Sequence, residues 1–154
     1  MSLYSWSKEF YPVKASKVHM SKATEHSLRK WEGMRPENLE KHGLRVSSDG
    51  YAIQEKDDLS IKLGIDDSSC ALCYHYVKEN CIFCPLAIVR GGCRCDLTVR
   101  HSIDIDRSDL DANPRLSDED KEMLLAEERS PYQSFSRHGD PEPMIFWLKR
   151  ADQL

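Results

Sequence analysis

Long apolar runs are missing from this sequence: nothing in it approaches the roughly 20 consecutive apolar residues that a membrane helix requires, so no membrane span is expected. The first ten residues have neither a basic n-region nor an apolar h-region, and no export signal is read there. Also absent are the G-x-S-x-G elbow, the P-loop and the H-E-x-x-H pair. Without them an enzyme reading has no residues to stand on, and neither a catalytic activity nor a small-molecule substrate is expected. Internal repeats and low-complexity tracts are lacking too. The hydrophobic fraction, 40%, is modest beside a charged fraction of 31%. That balance predicts a chain of one domain, 1–154, that buries a modest core and carries long solvated loops.

An excess of basic charge is likewise missing, since the net charge is −4. Residues 1–69 are neutral, 70–100 carry about +2 and 101–154 about −6. Coating duplex DNA rests on Lys and Arg neutralising phosphates, so the overall balance speaks against it and leaves only a local basic face.

What the sequence has in quantity is cysteine, six of them within residues 70–95. They read Cys70-x2-Cys73-x7-Cys81-x2-Cys84-Pro85-x7-Cys93-x-Cys95. In a reducing cytosol such a cluster points to metal ligation rather than disulfides. Each C-x2-C pair places two sulfurs on one metal through a tight knuckle, and zinc takes four such thiolates in a tetrahedron at about 2.3 Å. The expected ligands are Cys70, Cys73, Cys81 and Cys84, with Cys93 and Cys95 as alternates. A continuous helix across 73–81 would separate its ends by about 12 Å, too far for one metal. Either the chain turns at Lys78-Glu79-Asn80, or Cys93 or Cys95 replaces a sulfur of the first pair. Four thiolates leave zinc no open position for water, so the expected role is structural. An iron–sulfur cluster and a redox dithiol are the minor alternatives. His75 lies between the pairs but is read as a packing residue, and the other five histidines show no ligand-like spacing.

Around this module the expected fold class is α+β: a helix-rich small domain with a short β-ribbon and a zinc-binding, cysteine-rich centre. Residues 1–20 read as an arm that packs by Trp6, Phe10 and Tyr11. Ser21 as N-cap and Gly33 as stop bracket a helix over 21–31, and Pro36 and Gly43 bracket another over 36–42. Strands 44–47 and 51–54 flank Asp49-Gly50, a hairpin-turn dipeptide. The alternation of 59–63 suggests a third strand. Residues 101–116 read as an acidic loop insertion. Ser117 caps a helix to about 129, and Asp140-Pro141-Glu142 opens a last one through Leu148.

Two surfaces are candidate binding faces. Arg90, Arg94 and Arg100 beside Tyr74 and Tyr76 suit phosphate pairing and base stacking. Asp104, Asp106, Asp109 and Asp111 suit the basic groove of a partner protein; a calcium loop is excluded because its glycine and closing glutamate are missing.

The stretches Cys70-Ala71-Leu72-Cys73, Cys81-Ile82-Phe83-Cys84-Pro85, then Cys93 or Cys95, and Ser130-Pro131-Tyr132 resemble a group of small uncharacterised bacteriophage proteins. These carry C-x-L-C, C-x-x-C-P, a further Cys and a Thr/Ser-Pro-Tyr. The likeness extends to Glu25-His26-Ser27-Leu28-Arg29-Lys30-Trp31 and to an apolar C-terminal helix. This chain departs from the pattern by its acidic insertion and by doubling the third cysteine position. The resemblance implies a phage gene product in the cytoplasm of the bacterial host, and it brings no activity with it. The resulting expectation is a zinc-binding phage accessory protein, a non-catalytic module engaging a host protein or nucleoprotein complex. The alternative is a nucleic-acid-binding zinc module using the basic and aromatic face.

Overall fold

A computed structural model describes residues 1–102 and 105–154. The described residues form a small α+β domain of nine α-helices and one three-stranded antiparallel sheet. Helix α1 (Leu3–Phe10) opens on a reciprocal cap: the Ser5 amide donates to Ser2 Oγ at 3.0 Å and the Ser2 amide to Ser5 Oγ at 2.9 Å. Its Trp6 is fully enclosed, and the indole N–H donates to the Gly33 carbonyl at 2.9 Å. Burying a side chain of this kind stabilises by roughly 1.5–3 kcal/mol. The N-terminal segment therefore packs by its aromatics as expected, but it does so as a helix.

Helix α2 (Ala23–Glu32) begins two residues later than Ser21 suggested, because Met20–Lys22 forms a 3-10 turn first and Lys22 takes the cap position without a side-chain bond. Ala23, Ser27, Lys30 and Trp31 form its buried face at helical spacing. Pro36 starts α3 (Pro36–Lys41) at the first-turn position.

Strands β1 (Leu44–Val46), β2 (Ala52–Glu55) and β3 (Lys62–Gly64) pair in chain order, with Val46 opposite Ile53 and Ile53 opposite Leu63. The third strand starts later than the alternation suggested, since Asp58 folds 58–60 into a turn by accepting from both the amide and the hydroxyl of Ser60. Gly50 has φ +80° in the first turn, and a Cβ there would stand 1.8 Å from the Ser136 carbonyl oxygen. Only glycine lets the hairpin tip rest on the helix behind it.

Helices α4 (Ala71–Tyr76) and α5 (Pro85–Val89) carry the cysteine segment. The expected acidic loop contains a helix, α6 (Arg107–Asp111), capped reciprocally by Asp106 and Asp109. Ser117 caps α7 (Asp118–Ala126) as expected, although the helix stops three residues short of 129. Ser130 caps α8 (Pro131–His138), and α9 (Glu142–Asp152) buries Met144, Ile145, Trp147, Leu148 and Ala151. Helix α9 packs on α2 and α5 while α4 packs on α2, which seats the cysteine segment against the centre of the core. Among the described residues no helix is long and apolar enough to cross a membrane.

Candidate metal centre

Asp66 caps a 3-10 turn, Asp67–Ser69, that delivers Cys70 to the N-cap of α4. There the Cys73 amide donates to Cys70 Sγ at 3.4 Å, and Ser27 Oγ lies 3.8 Å from the same sulfur. Helix α4 runs on into a 3-10 turn, Val77–Glu79, before Asn80 and Cys81 reverse the chain with φ of 54° and 63°. This is the reversal that the seven-residue spacer requires. The Cys81 amide returns to the Tyr76 carbonyl at 3.1 Å, and the Cys84 amide closes on the Cys81 carbonyl at 3.1 Å. Cys84 then stands at the N-cap of α5. After α5 the chain turns again, and the Gly92 amide reaches the Ala87 carbonyl at 2.8 Å.

These two reversals bring Cys70, Cys73, Cys81 and Cys95 to the wall of one cavity of about 310 Å3, shared with Lys30, Trp31 and Tyr132. Cys84 is buried at the start of α5, within electrostatic reach of Cys70 and Cys81, but is not part of that wall. Cys93 points elsewhere: its thiol donates to the Leu97 carbonyl at 3.3 Å beneath the Arg90 guanidinium. Of the two alternates the structure thus separates Cys95, on the cavity, from Cys93, in the core. Among the described residues no three Cys, His, Asp or Glu side chains are already gathered around one point as a metal-holding group. The sulfurs border a common space instead of closing on its centre.

The electrostatics of this cavity favour negative charge at one sulfur, Cys70, and oppose it at the others. The Cys70 thiol is lowered to about 5 by the hydrogen bond it shares with Cys73, against the opposing effect of burial and with help from Lys30 and the Cys73 amide. The bond from Cys70, together with burial, pushes Cys73 upward. Burial raises Cys81 and Cys95, and carries Cys84 to about 11. A thiophilic cation reverses that trend, because a coordinating thiol is deprotonated outright. Soft sulfur donors such as these match zinc by ligand chemistry.

Other expected site residues are placed differently. Arg90 is a correction: it is 0% exposed, donates to both Glu127 carboxylate oxygens at 2.7 and 2.9 Å and stacks on Trp147 at 5.4 Å. It cannot meet a phosphate while it sits there. Arg94 pairs with Asp96 at 2.8 Å, and Arg100 is exposed. Tyr74 is exposed, whereas Tyr76 packs against the core. His75 bonds the Val18 carbonyl at 2.7 Å, a packing role. Asp106, Asp109 and Asp111 lie exposed on a capped helix rather than an acidic loop, and Asp104 lies outside the described residues.

Two residues of the cavity wall went unrecognised in the sequence. Lys30 belongs to the buried face of α2, and its spacing from Ala23 and Ser27 was the available signal. Tyr132 closes the wall from α8; its hydroxyl donates to the Ile65 carbonyl and its amide to the Cys95 carbonyl at 3.2 Å. No protein-family model, no curated protein and no solved structure matches this chain.

Proposed function

We propose that the cysteine centre holds a structural zinc ion, and that the protein is a non-catalytic binding module acting on a host protein or nucleoprotein complex as a phage accessory factor. The observation that carries the zinc reading is that Cys70, Cys73, Cys81 and Cys95 line one cavity, although they come from two segments separated by the turn of α5. Cys84, buried at the N-cap of α5 within electrostatic reach of Cys70 and Cys81, is the reserve ligand. A site closed by four thiolates supplies no water-activating position, which favours a staple over a catalyst. The binding role draws support from Ile82 and Phe83, 67% and 65% exposed between the paired cysteines. The phage setting draws support from the sequence resemblance alone.

Elemental analysis of the purified full-length chain, with thermal melts before and after chelation, tests this reading. One zinc per chain and a collapsed melt after chelation are expected, because apparent binding free energies of about 10–16 kcal/mol exceed the stability of a typical domain. A metal-free protein with freely reactive thiols and an unchanged melt contradicts it.

A further inference from the structure

Lys30 is 1% exposed, and its ammonium donates to the Ser69 carbonyl at 3.1 Å and to Ser69 Oγ at 3.3 Å. An ammonium has three N–H donors, so one is left without an acceptor among the described residues. Among those residues, too, no carboxylate lies within ion-pair distance of it. The Trp31 ring, 5.6 Å from Nζ, supplies only a weak electrostatic partner. Burying a cation is costly, and natural proteins compensate it with a counter-charge. Lys30 shares the cavity with Cys70, Cys73, Cys81 and Cys95, and with Asp66, Asp67, Asp96 and Arg94 among its charged neighbours.

We propose that Lys30 is the built-in counter-charge of the cysteine centre, a positioning residue that neutralises part of the negative charge of a four-thiolate complex with a divalent, thiophilic cation. The inference rests on the metal reading above. Four thiolates around a divalent cation leave two net negative charges in a cavity that Trp31, Leu72, Leu86 and Met144 line together with three aspartates and Arg94, the latter already paired with Asp96. An ammonium held in place by Ser69, one residue from the ligand Cys70, offsets one of them without entering the coordination sphere. Outer groups of this kind set ligand basicity and metal affinity.

The test uses the full-length reduced protein and its Lys30→Met variant, which keeps the apolar stem and removes the charge, with Lys30→Gln as a second replacement. Zinc affinity is read by competition with a chromogenic chelator, and the cobalt-loaded proteins are compared by their sulfur-to-cobalt charge-transfer absorption. The expected result is one metal per chain in every form, zinc affinity about tenfold or more weaker in the variants, and a charge-transfer band moved to longer wavelength. Equal affinity and an unmoved band overturn the role of Lys30 while leaving the zinc centre standing. Absence of zinc from the wild-type protein overturns both. A readout free of substitution comes from the nitrogen resonance of Lys30 in zinc-loaded wild-type protein at neutral pH: an ammonium supports the counter-charge, and a neutral amine overturns it.

Discussion

The backbone amide of Tyr132 donates to the carbonyl of Cys95 at 3.2 Å, so the first turn of α8 is fastened to the cysteine centre. The Tyr132 hydroxyl, donating to the Ile65 carbonyl, fastens the same turn to the chain just beyond β3. A single residue therefore links the centre, the sheet side and the C-terminal helices.

Tyr132→Phe removes the second fastening and leaves a buried carbonyl unsatisfied. A loss of about 1–3 kcal/mol is expected, read as a lower urea midpoint of the metal-loaded protein. An unchanged midpoint would mean that the Ile65 carbonyl finds water in its place.

Cys93 and Cys95 are two residues apart and have opposite surroundings. Cys93→Ser should retain a full complement of metal, because that sulfur faces the Leu97 carbonyl and Arg90 rather than the cavity. Cys95→Ser should lose most of it. Metal content measured on both purified variants decides the matter, and a reversed pattern would exchange their roles.

Arg90 and Glu127 form an enclosed ion pair, 0% and 13% exposed at their side chains, braced by Trp147. Arg90→Met strands the Glu127 carboxylate, and removing one partner of a buried pair costs about 3–5 kcal/mol. Chemical denaturation should show this loss in full. Near-wild-type stability would indicate that Glu127 escapes to solvent.

Burial lowers the pKa of His26 below its ordinary 6.5, an effect only partly offset by its bond to the Val13 carbonyl. Its Nδ1 is buried without a partner among the described residues, so protonation would place a donor where none of them offers an acceptor. The unfolded chain then binds the proton more readily than the folded one. The contribution of His26 is whole above pH 6.5 and shrinks as pH falls from there toward the lowered folded value. Stability measured between pH 7 and 5 should fall less steeply in His26→Gln than in the wild type, and parallel curves would contradict the assignment.

The parts of the fold legible in the sequence are those written in local chemistry. Pro36 marks α3, Asp49-Gly50 marks the hairpin, Ser117 caps α7, and of the two solutions that the seven-residue spacer leaves, one is the reversal found at Asn80 and Cys81. Helix α8 was legible as well, since Ser130-Pro131 followed by Gln133 is a capping box with proline at the first turn, a pattern left unread. Helix α1 was harder, because its cap uses Ser5 where glutamate or glutamine is usual. The fate of Arg90 was not legible at all: its partner Glu127 is 37 residues away, and no local pattern separates a buried arginine from a solvated one. The same holds for the division between Cys93 and Cys95, which the turn after α5 decides.

Whether sulfur from this chain closes on zinc is read by X-ray absorption at the zinc edge of the purified protein. The expected spectrum is four sulfur neighbours at about 2.3 Å, with the sulfur count falling in Cys70→Ser and Cys81→Ser and holding in Cys93→Ser. A shell dominated by nitrogen and oxygen, or no zinc to measure, would contradict the account.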